Sequence, residues 1–290
     1  MKKKLNILVI GSGAREHSIC WSLSKSEKTN KLFCIPGNAG ISKIASCEEI
    51  NPADKKSILK FCKEKKIELA VIGPEEYLAA GLSDFLIKNK VKTFGPSKKA
   101  SRLESSKSFA KKFRNRHKIS TPSYKEFTSL VDAKKFLKNS SFPLVIKADG
   151  LAAGKGVVIC QKLSEGLLAL GEILSKKKFG NAGKKIIIEE FIEGFEISFF
   201  AFFDKKSFLP FGYALDHKKA YENDVGPNTG GMGCFTPSKL MNKNLEEQIY
   251  KDIIKKTFYG LRKDKVDYRG VIFFGLMIKN NKPHVIEYNV

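Results

Sequence analysis

The stretch from Lys147 to Gly156, KADGLAAGKG, crowds glycines and two lysines into one short segment. Apolar runs flank it, Leu144–Lys147 before and Val157–Cys160 after, and both read as strands. The segment is therefore expected to be a pliable hairpin. Gly154, Lys155 and Gly156 could fold backbone N–H groups and one ammonium over a polyphosphate. The spacing is not that of a Walker loop, because Gly156 and not Ser or Thr follows Lys155. Lys147 ends the apolar strand PLVIK, and a lysine pointing inward there needs an anion. The alternative is a surface hairpin with solvated lysines. Lys107, in ESSKSFAKKF, follows two serines with the character of helix caps. A cation in a first helical turn opposes the helix dipole, which is tolerable if the turn faces a phosphate and only slightly costly if it faces water.

Other segments offer complementary groups. In IIIEEFIEGFEIS, Glu189, Glu190 and Glu196 could accept from an adenine amino group or a ribose hydroxyl, and the backbone at Phe191 and Ile192 could read the base edge. An ordinary hairpin with solvated acids is the competing reading. Glu287 and Asn289 lie two apart on a strand and so share a face. A carboxylate and a carboxamide among apolar neighbours suit Mg²⁺, which takes few protein oxygens and shares the rest with phosphates. The long polar loop from Asp216 to Gly233 is of a length that is usually functional. Its Asp216, His217 and Lys218 could place a sugar phosphate, and its glycines would permit close approach.

These groups need elements to hold them. The first hundred residues alternate strand and helix: strands at Leu5–Ile10, Lys31–Ile35, Leu69–Ile72 and Val91–Phe94, helices at Arg15–Ser24, Ala53–Lys65 and Leu78–Lys88. This alternation predicts a parallel, doubly wound sheet. Its glycine loops, GSGAREH, PGNAG and GPEEYLAAG, follow strands, so they should share one crevice at the carboxyl ends. Glu16 stands where a dinucleotide fingerprint has its third glycine, and no acid follows at the second strand's end, where Cys34 and Pro36 stand. Nicotinamide chemistry is thus disfavoured. A helical stretch is expected over Ser97–His117. Long apolar strands follow at Leu144–Lys147, Val157–Cys160, Ile186–Phe191, Glu196–Phe203 and Phe208–Tyr213, with a helix over Ser164–Lys176. A helix over Leu245–Phe258 leads to a hairpin of Val271–Ile278 and His284–Val290, turning at Asn280-Asn281.

Composition narrows the classes. The 290 residues suffice for two domains, and no apolar run reaches membrane-spanning length. The six cysteines show no metal spacing and read as buried apolar residues in a reducing compartment. The formal charge of +23 comes from 53 basic residues of which only Arg15, Arg102, Arg114, Arg116, Arg262 and Arg269 are arginine. Lysines spread along a chain signal solvated faces and attraction for anionic substrates rather than nucleic-acid readout.

Taken together, ILVIGSGAREH, PGNAG, GPEEYLAAGL, GPSKKASRLESSK, KADGLAAGKGV, IEEFIEGFEIS, DHK…GPNTGGMG, YRGVIFFGLMI and VIEYNV resemble the phosphoribosylamine–glycine ligase family of ATP-grasp enzymes over nearly the whole chain. The resemblance implies an α/β architecture, with an amino-terminal Rossmann-like parallel-sheet domain (residues 1–103) followed by an ATP-grasp fold (104–290). The latter would have an α+β small lobe, about 122–194, and a larger lobe. It also implies a reaction: ATP phosphorylates the glycine carboxylate, and the amine of 5-phosphoribosylamine displaces the phosphate to give glycinamide ribonucleotide. Lys107, Lys147, Gly154, Lys155 and Gly156 would hold phosphates, and Glu189, Glu190, Phe191, Ile192 and Glu196 adenosine. Glu287 and Asn289 would hold Mg²⁺ or Mn²⁺. Gly11, Gly13, Asn38, Gly73, Pro74, Glu75, Asp216, His217, Lys218, Asn228, Thr229 and Gly230 would hold the phosphoribosylamine. No acid–base residue is singled out. The partners implied are small molecules, with no nucleic acid and no membrane, in a cytoplasmic monomer. Family chains continue past E-[FY]-N-V with Arg-Phe-Gly-Asp-Pro-Glu and a carboxyl-terminal domain that is missing here, so weak or absent turnover is expected of this chain by itself. The competing readings are another ATP-grasp carboxylate–amine ligase and a nucleotide-binding module without catalysis.

Overall fold

The computed structural model describes residues 3–152, 156–175, 179–223 and 225–290. It divides into two compact units, Met1–Ser101 with Asp267–Gly270, and Arg102–Val266 with Val271–Val290.

The first unit is built on β1 (Leu5–Gly11), α1 (Ala14–Ser24), β2 (Thr29–Pro36), β3 (Ser46–Cys47), α2 (Lys55–Glu64), β4 (Leu69–Ile72), α3 (Glu75–Ala79), α4 (Leu82–Lys88) and β5 (Lys92–Phe94). The strands form one parallel sheet in the order β3-β2-β1-β4-β5. The order reverses between β1 and β4, which places a crevice beyond their carboxyl ends. Leu8, Val9, Ile10, Cys34 and Ile35 have no exposure, as strands covered on both faces require. The helix expected over Leu78–Lys88 is broken in two, because Gly81 sits at φ 85° and ends one helix before the next begins. The returning segment Asp267–Gly270 closes on the turn after β5: Ser97 Oγ donates to the Asp267 carbonyl at 3.2 Å.

The second unit contains α5 (Arg102–Ser105), α6 (Lys107–Arg116), β6 (Tyr124–Phe127), α7 (Leu130–Lys138), β7 (Leu144–Ala148), β8 (Val157–Cys160), α8 (Leu163–Leu170), β9 (Ile186–Glu190), β10 (Phe195–Phe203), β11 (Phe208–Asp216), β12 (Lys219–Tyr221), β13 (Val225–Asn228), β14 (Cys234–Phe235), α9 (Lys243–Gln248), α10 (Lys255–Lys263), β15 (Gly270–Lys279) and β16 (Lys282–Asn289). One sheet runs β6-β9-β7-β8, all antiparallel. A second runs β14-β11-β10-β15-β16. The stretch expected to be helical up to His117 divides at Ser106, whose hydroxyl accepts from the Phe109 N–H and so caps α6 afresh. Both β6 and α7 went unforeseen, since YKEF alternates too briefly to announce a strand and LVDAKKFLK is short. A π-helical stretch at Ile249–Ile254 joins α9 to α10 in a helical run reaching Lys263. The final hairpin turns at Asn280 and Asn281, at φ 51° and 57°, the two left-handed positions a tight hairpin of this kind needs.

Alternation along β9 sets the site. Ile186 and Ile188 join Leu144, Ile146, Ala148 and Cys160 in a core capped by α7 and α8. Ile187 and Glu189 therefore face the other way, as does Lys147 on the neighbouring strand, where it pairs with Ile187.

Candidate active site

In the first unit the three glycine loops are tied to one another. The Gly37 N–H donates to the Gly11 carbonyl at 3.2 Å, the Gly73 N–H to Ile10 at 3.0 Å, and Asn38 Nδ2 to the Ser12 carbonyl at 2.8 Å. Asn38 Oδ1 accepts from the N–H groups of Gly40 and Ile41 at 2.8 and 2.9 Å, so this side chain shapes its own loop. Glu16 is 3 % exposed and its Oε2 accepts from the Gly13 N–H at 2.7 Å. A carboxylate thus takes the helix-terminal donors that a dinucleotide pyrophosphate would use. A Cβ at Gly11 or Gly73 would overlap the Glu16 side chain, which is why glycine stands at both. Arg15 lies at this edge, 3.4 Å from Glu75, with Pro74 half-buried between the loops.

In the second unit, α6 begins at the loop that follows β7. Asp149 Oδ1 accepts from the Ser108 N–H at 2.6 Å and Oδ2 from the Ser108 hydroxyl at 2.9 Å. The Lys107 N–H donates to the Asp149 carbonyl at 2.9 Å, and Lys107 Nζ to the Gly150 carbonyl at 3.0 Å. The helix dipole is thus met by the Asp149 carboxylate, and Lys107 is free of the helix terminus to reach over the loop. Gly156 closes the described part of the loop, its carbonyl accepting from the Ala148 N–H at 2.8 Å. A Cβ there would lie 2.6 Å from that of Ala152. Gly154 and Lys155 lie outside the described residues.

Lys147 is 7 % exposed. Its Nζ lies 3.0 Å from Glu189 Oε2 and donates to the Ile286 carbonyl at 3.2 Å, immediately beside Glu287. Burial, and then nearby Lys147, hold the Lys107 ammonium below its ordinary value against the pull of Glu287, Asp149 and Glu104. Lys107 thus lies within electrostatic reach of both Lys147 and Glu287, and Lys147 is tied to the backbone next to Glu287.

Glu189 stands otherwise than the sequence suggested. It is 2 % exposed and both its oxygens are bound, Oε1 lying 3.3 Å from Lys111 Nζ. Burial would raise this carboxyl, but Lys147, Lys111 and Arg114 outweigh burial and keep it low. A carboxylate held in this way spends one lone pair of each oxygen on a lysine. Glu190 is exposed and accepts from the Ser123 hydroxyl at 2.8 Å. Phe191 and buried Ile192 carry the chain out of β9, and Glu196 follows at the start of β10.

Glu287 pairs with Gly275 across β15 and β16, where a Cβ would lie 2.8 Å from Glu287 Cγ. Glycine at that position lets the carboxylate lie across the neighbouring strand. A register shift between Gly275 and Leu276 follows, so strict alternation is lost and Ile286 is only half-buried. Asn289 Nδ2 donates to Glu104 Oε1 at 2.8 Å, and Glu104 Oε2 accepts from the Val290 N–H at 2.7 Å. Anchoring the amide nitrogen turns the Asn289 carbonyl oxygen the other way. Among the described residues no group of three or more His, Cys, Asp or Glu could hold a metal. Two hard oxygens, Glu287 and Asn289, nonetheless fit a cation that draws its remaining ligands from phosphate.

The polar loop folds back on itself. The Thr229 N–H donates to the Lys218 carbonyl at 2.6 Å, the His217 N–H to Gly233 at 2.9 Å, and His217 stacks on Phe235. Lys218 pairs with Glu196, and that partner outweighs burial to raise the ammonium. Lys218 thus already has a carboxylate partner, while Asp216 is half-buried and Gly230 exposed. The side chain of Asn228 lies outside the described residues. Lys111 and Glu104 were missed from sequence. Each has a signal in hindsight: Lys111 is one helical turn after Lys107, and Glu104 three residues before it, on segments that meet the cleft.

Residues 5–104 match the phosphoribosylglycinamide synthetase N domain, and residues 105–290 the ATP-grasp (A) domain of the same family. The chain belongs to the phosphoribosylglycinamide synthetase family. Among curated relatives, the phosphoribosylamine–glycine ligase of Halalkalibacterium halodurans is 42% identical over 285 residues, covering 98% of this chain and 67% of its own length. That of Mesorhizobium japonicum is 43% identical over 285 residues, with 98% and 67% covered. The trifunctional purine biosynthetic protein adenosine-3 of Drosophila melanogaster is 42% identical over 98% of this chain and 21% of its own length. The crystal structure of the Thermotoga maritima phosphoribosylamine–glycine ligase superposes with a TM-score of 0.83 at 33% identity, covering 99% of this chain and 68% of that one. The synthetase-family chain accordingly has the mixed α/β fold expected, a parallel-sheet unit followed by an ATP-grasp unit of antiparallel sheets. No helix among the described residues is long and apolar enough to cross a membrane.

Proposed function

We propose that the site of this chain serves the ATP-dependent ligation of glycine to 5-phosphoribosylamine. Glycine carboxylate attacks the γ-phosphorus of ATP, releasing ADP and leaving an acyl phosphate. The phosphoribosylamine nitrogen attacks that carbonyl, loses a proton, and expels inorganic phosphate to give glycinamide ribonucleotide. The carboxylate alone is a poor electrophile, and phosphorylation supplies its leaving group. The protein's work is therefore positioning and charge neutralisation.

The electrostatic coupling of Lys107 to Lys147 and Glu287, with Lys147 bound to the carbonyl beside Glu287, carries this reading. Lys107 and Lys147 would neutralise the transferring phosphate. Glu287 and Asn289 would hold Mg²⁺ or Mn²⁺, which when bound shields phosphate charge from the incoming carboxylate. Phe191 and Ile192 would offer backbone to the base, and Glu196, once parted from Lys218, the ribose. Of the adenosine set, Glu189 supports the site from beneath. Gly11, Gly13, Asn38, Gly73, Pro74, Glu75, Asp216, His217, Lys218, Asn228, Thr229 and Gly230 would take the phosphoribosylamine. The relatives' names support this substrate pair, and a cytoplasmic setting accords with it.

The test measures ADP release with Mg·ATP and phosphoribosylamine while the acyl donor is varied. Release that rises with glycine, and not with formate or bicarbonate, is expected, and Lys147→Met should weaken Mg·ATP binding by about a hundredfold, some 2.7 kcal/mol. Nucleotide binding unchanged by Lys147→Met, or ADP release that responds to formate or bicarbonate rather than to glycine, would refute the assignment.

A further inference from the structure

A buried carboxylate normally needs one partner, and Glu189 has two. Its Oε1 faces Lys111 at 3.3 Å and its Oε2 faces Lys147 at 3.0 Å. Lys111 is completely buried, whereas the Lys147 side chain keeps 9% of its exposure. Lys111 Nζ also donates to Thr121 Oγ1 at 2.9 Å and to the Pro122 carbonyl at 2.8 Å, which leaves it nothing to offer a ligand. The arrangement follows from β9: Glu189 lies diagonally across from Lys147 on the face turned away from the small core, and α6 brings Lys111 over the same face.

The charges decide what the trio does. With Glu189 alone as partner, the Lys147 ammonium would be cancelled before any phosphate arrived. With Lys111 also present the trio carries a net positive charge, and only Lys147 stands where a ligand could meet it. Beyond the trio, Arg114 on α6 adds a positive charge acting on Glu189 and Lys107 one coupled to Lys147, while Glu287 on β16 acts on both Arg114 and Lys107. Resting on the ATP-binding reading of the site, we propose that Lys111 is a positioning residue for nucleotide binding. By neutralising one oxygen of Glu189, it lets Glu189 hold the Lys147 ammonium in place without cancelling its charge toward the triphosphate. Lys111 touches no substrate in this scheme and acts only through Glu189.

The geometry has a titration consequence. Burial, the largest influence, lowers the Lys111 ammonium to about 7, while Glu189 pulls it back up and Arg114 and Lys147 push it down. Its remaining neighbours are the Tyr124 ring, 5.1 Å from Nζ, and the Thr121 hydroxyl. As pH rises through 7, Lys111 loses its proton, Glu189 keeps only Lys147 and Arg114 as positive neighbours, and nucleotide affinity falls.

The experiment compares Mg·ADP and a non-hydrolysable Mg·ATP analogue by calorimetry across wild type, Lys111→Met, Glu189→Gln and the double variant. Lys111→Met should bind about tenfold more weakly, about 1.4 kcal/mol. Glu189→Gln, in which Lys147 keeps its charge but loses the carboxylate that holds it, should bind about threefold more weakly than wild type. The double variant, which restores the net charge, should return to within about threefold of wild type; a merely structural lysine would give no such rescue. Should Lys111→Met fail to fold, wild-type affinity measured from pH 6 to 8 decides: a fall of several-fold with rising pH is expected. Wild-type binding with Lys111→Met within twofold of it, no rescue in the double variant, or a flat pH profile would overturn the inference alone. Absence of nucleotide binding by wild type would instead overturn the reading of the site, and the inference with it.

Discussion

Glu104→Gln tests how the cation site is held. Glu104 contributes one oxygen to Asn289 Nδ2 at 2.8 Å and the other to the Val290 N–H at 2.7 Å. Glutamine keeps the length and volume but offers only one acceptor, and its amide nitrogen meets a donor. Either the Asn289 amide or the Val290 N–H is left unmatched. Hydrogen bonds to a charged group contribute about 1.5–3 kcal/mol when buried. Glu104 is only half-buried, so a stability loss of about 1 kcal/mol is the reasonable figure, a fall of about 2–4 °C in Tm for a chain of this size. The effect on the cation should be larger. With its nitrogen untethered, the Asn289 carboxamide can turn, and outer-shell partners of metal ligands typically account for 10–100-fold in affinity. Mn²⁺, titrated by electron paramagnetic resonance in the presence of an ATP analogue, should bind about 10–100-fold more weakly to Glu104→Gln. Equal Mn²⁺ affinity in a folded variant would show that Glu104 does not orient Asn289, and that the two-oxygen site on β16 is misassigned.

Asp149→Ala should lower stability by about 2 kcal/mol, because the Ser108 N–H and hydroxyl lose a carboxylate at 2.6 and 2.9 Å; chemical denaturation would read this, and an unchanged midpoint would contradict it. Acid sensitivity should include Asp264. Burial alone would raise that carboxyl, but Arg116 and His117 outweigh burial and hold it below 3.8. A depressed carboxyl contributes stability that is present above 3.8 and lost as pH falls below it. Asp264→Asn should therefore narrow the stability difference between pH 5 and pH 3 relative to wild type, and an identical slope in both proteins would exclude the pairing as its cause.

Local pattern made the parallel unit legible. Its strands are continuous apolar runs, each followed by a glycine turn, and doubly wound sheets permit few other arrangements of such a string. The hairpin at Asn280 and Asn281 was equally plain, because those residues tolerate the left-handed backbone the turn demands. The segment YKEF carried no such sign. It becomes a strand only because Ile186–Glu189 lies alongside it to pair with, and that partner is some sixty residues away. Glu16 shows an intermediate case: its position counts against a dinucleotide fingerprint from spelling alone, but only the fold reveals that its carboxylate fills the notch under Gly11 and Gly73.

By itself, then, the order of residues determined the family and the types of group available to grip a phosphate. These are local properties, carried by backbone preference and residue chemistry. What each charged group does was decided by tertiary structure. Glu189 and Glu190 are neighbours in the chain, yet one is enclosed between two lysines and the other lies in solvent. The role of a charge depends on which opposite charges folding brings within a few ångströms and on how much water it removes. Lys111, Lys147 and Glu189 come from three separate elements, and no reading of any one of them contains the other two.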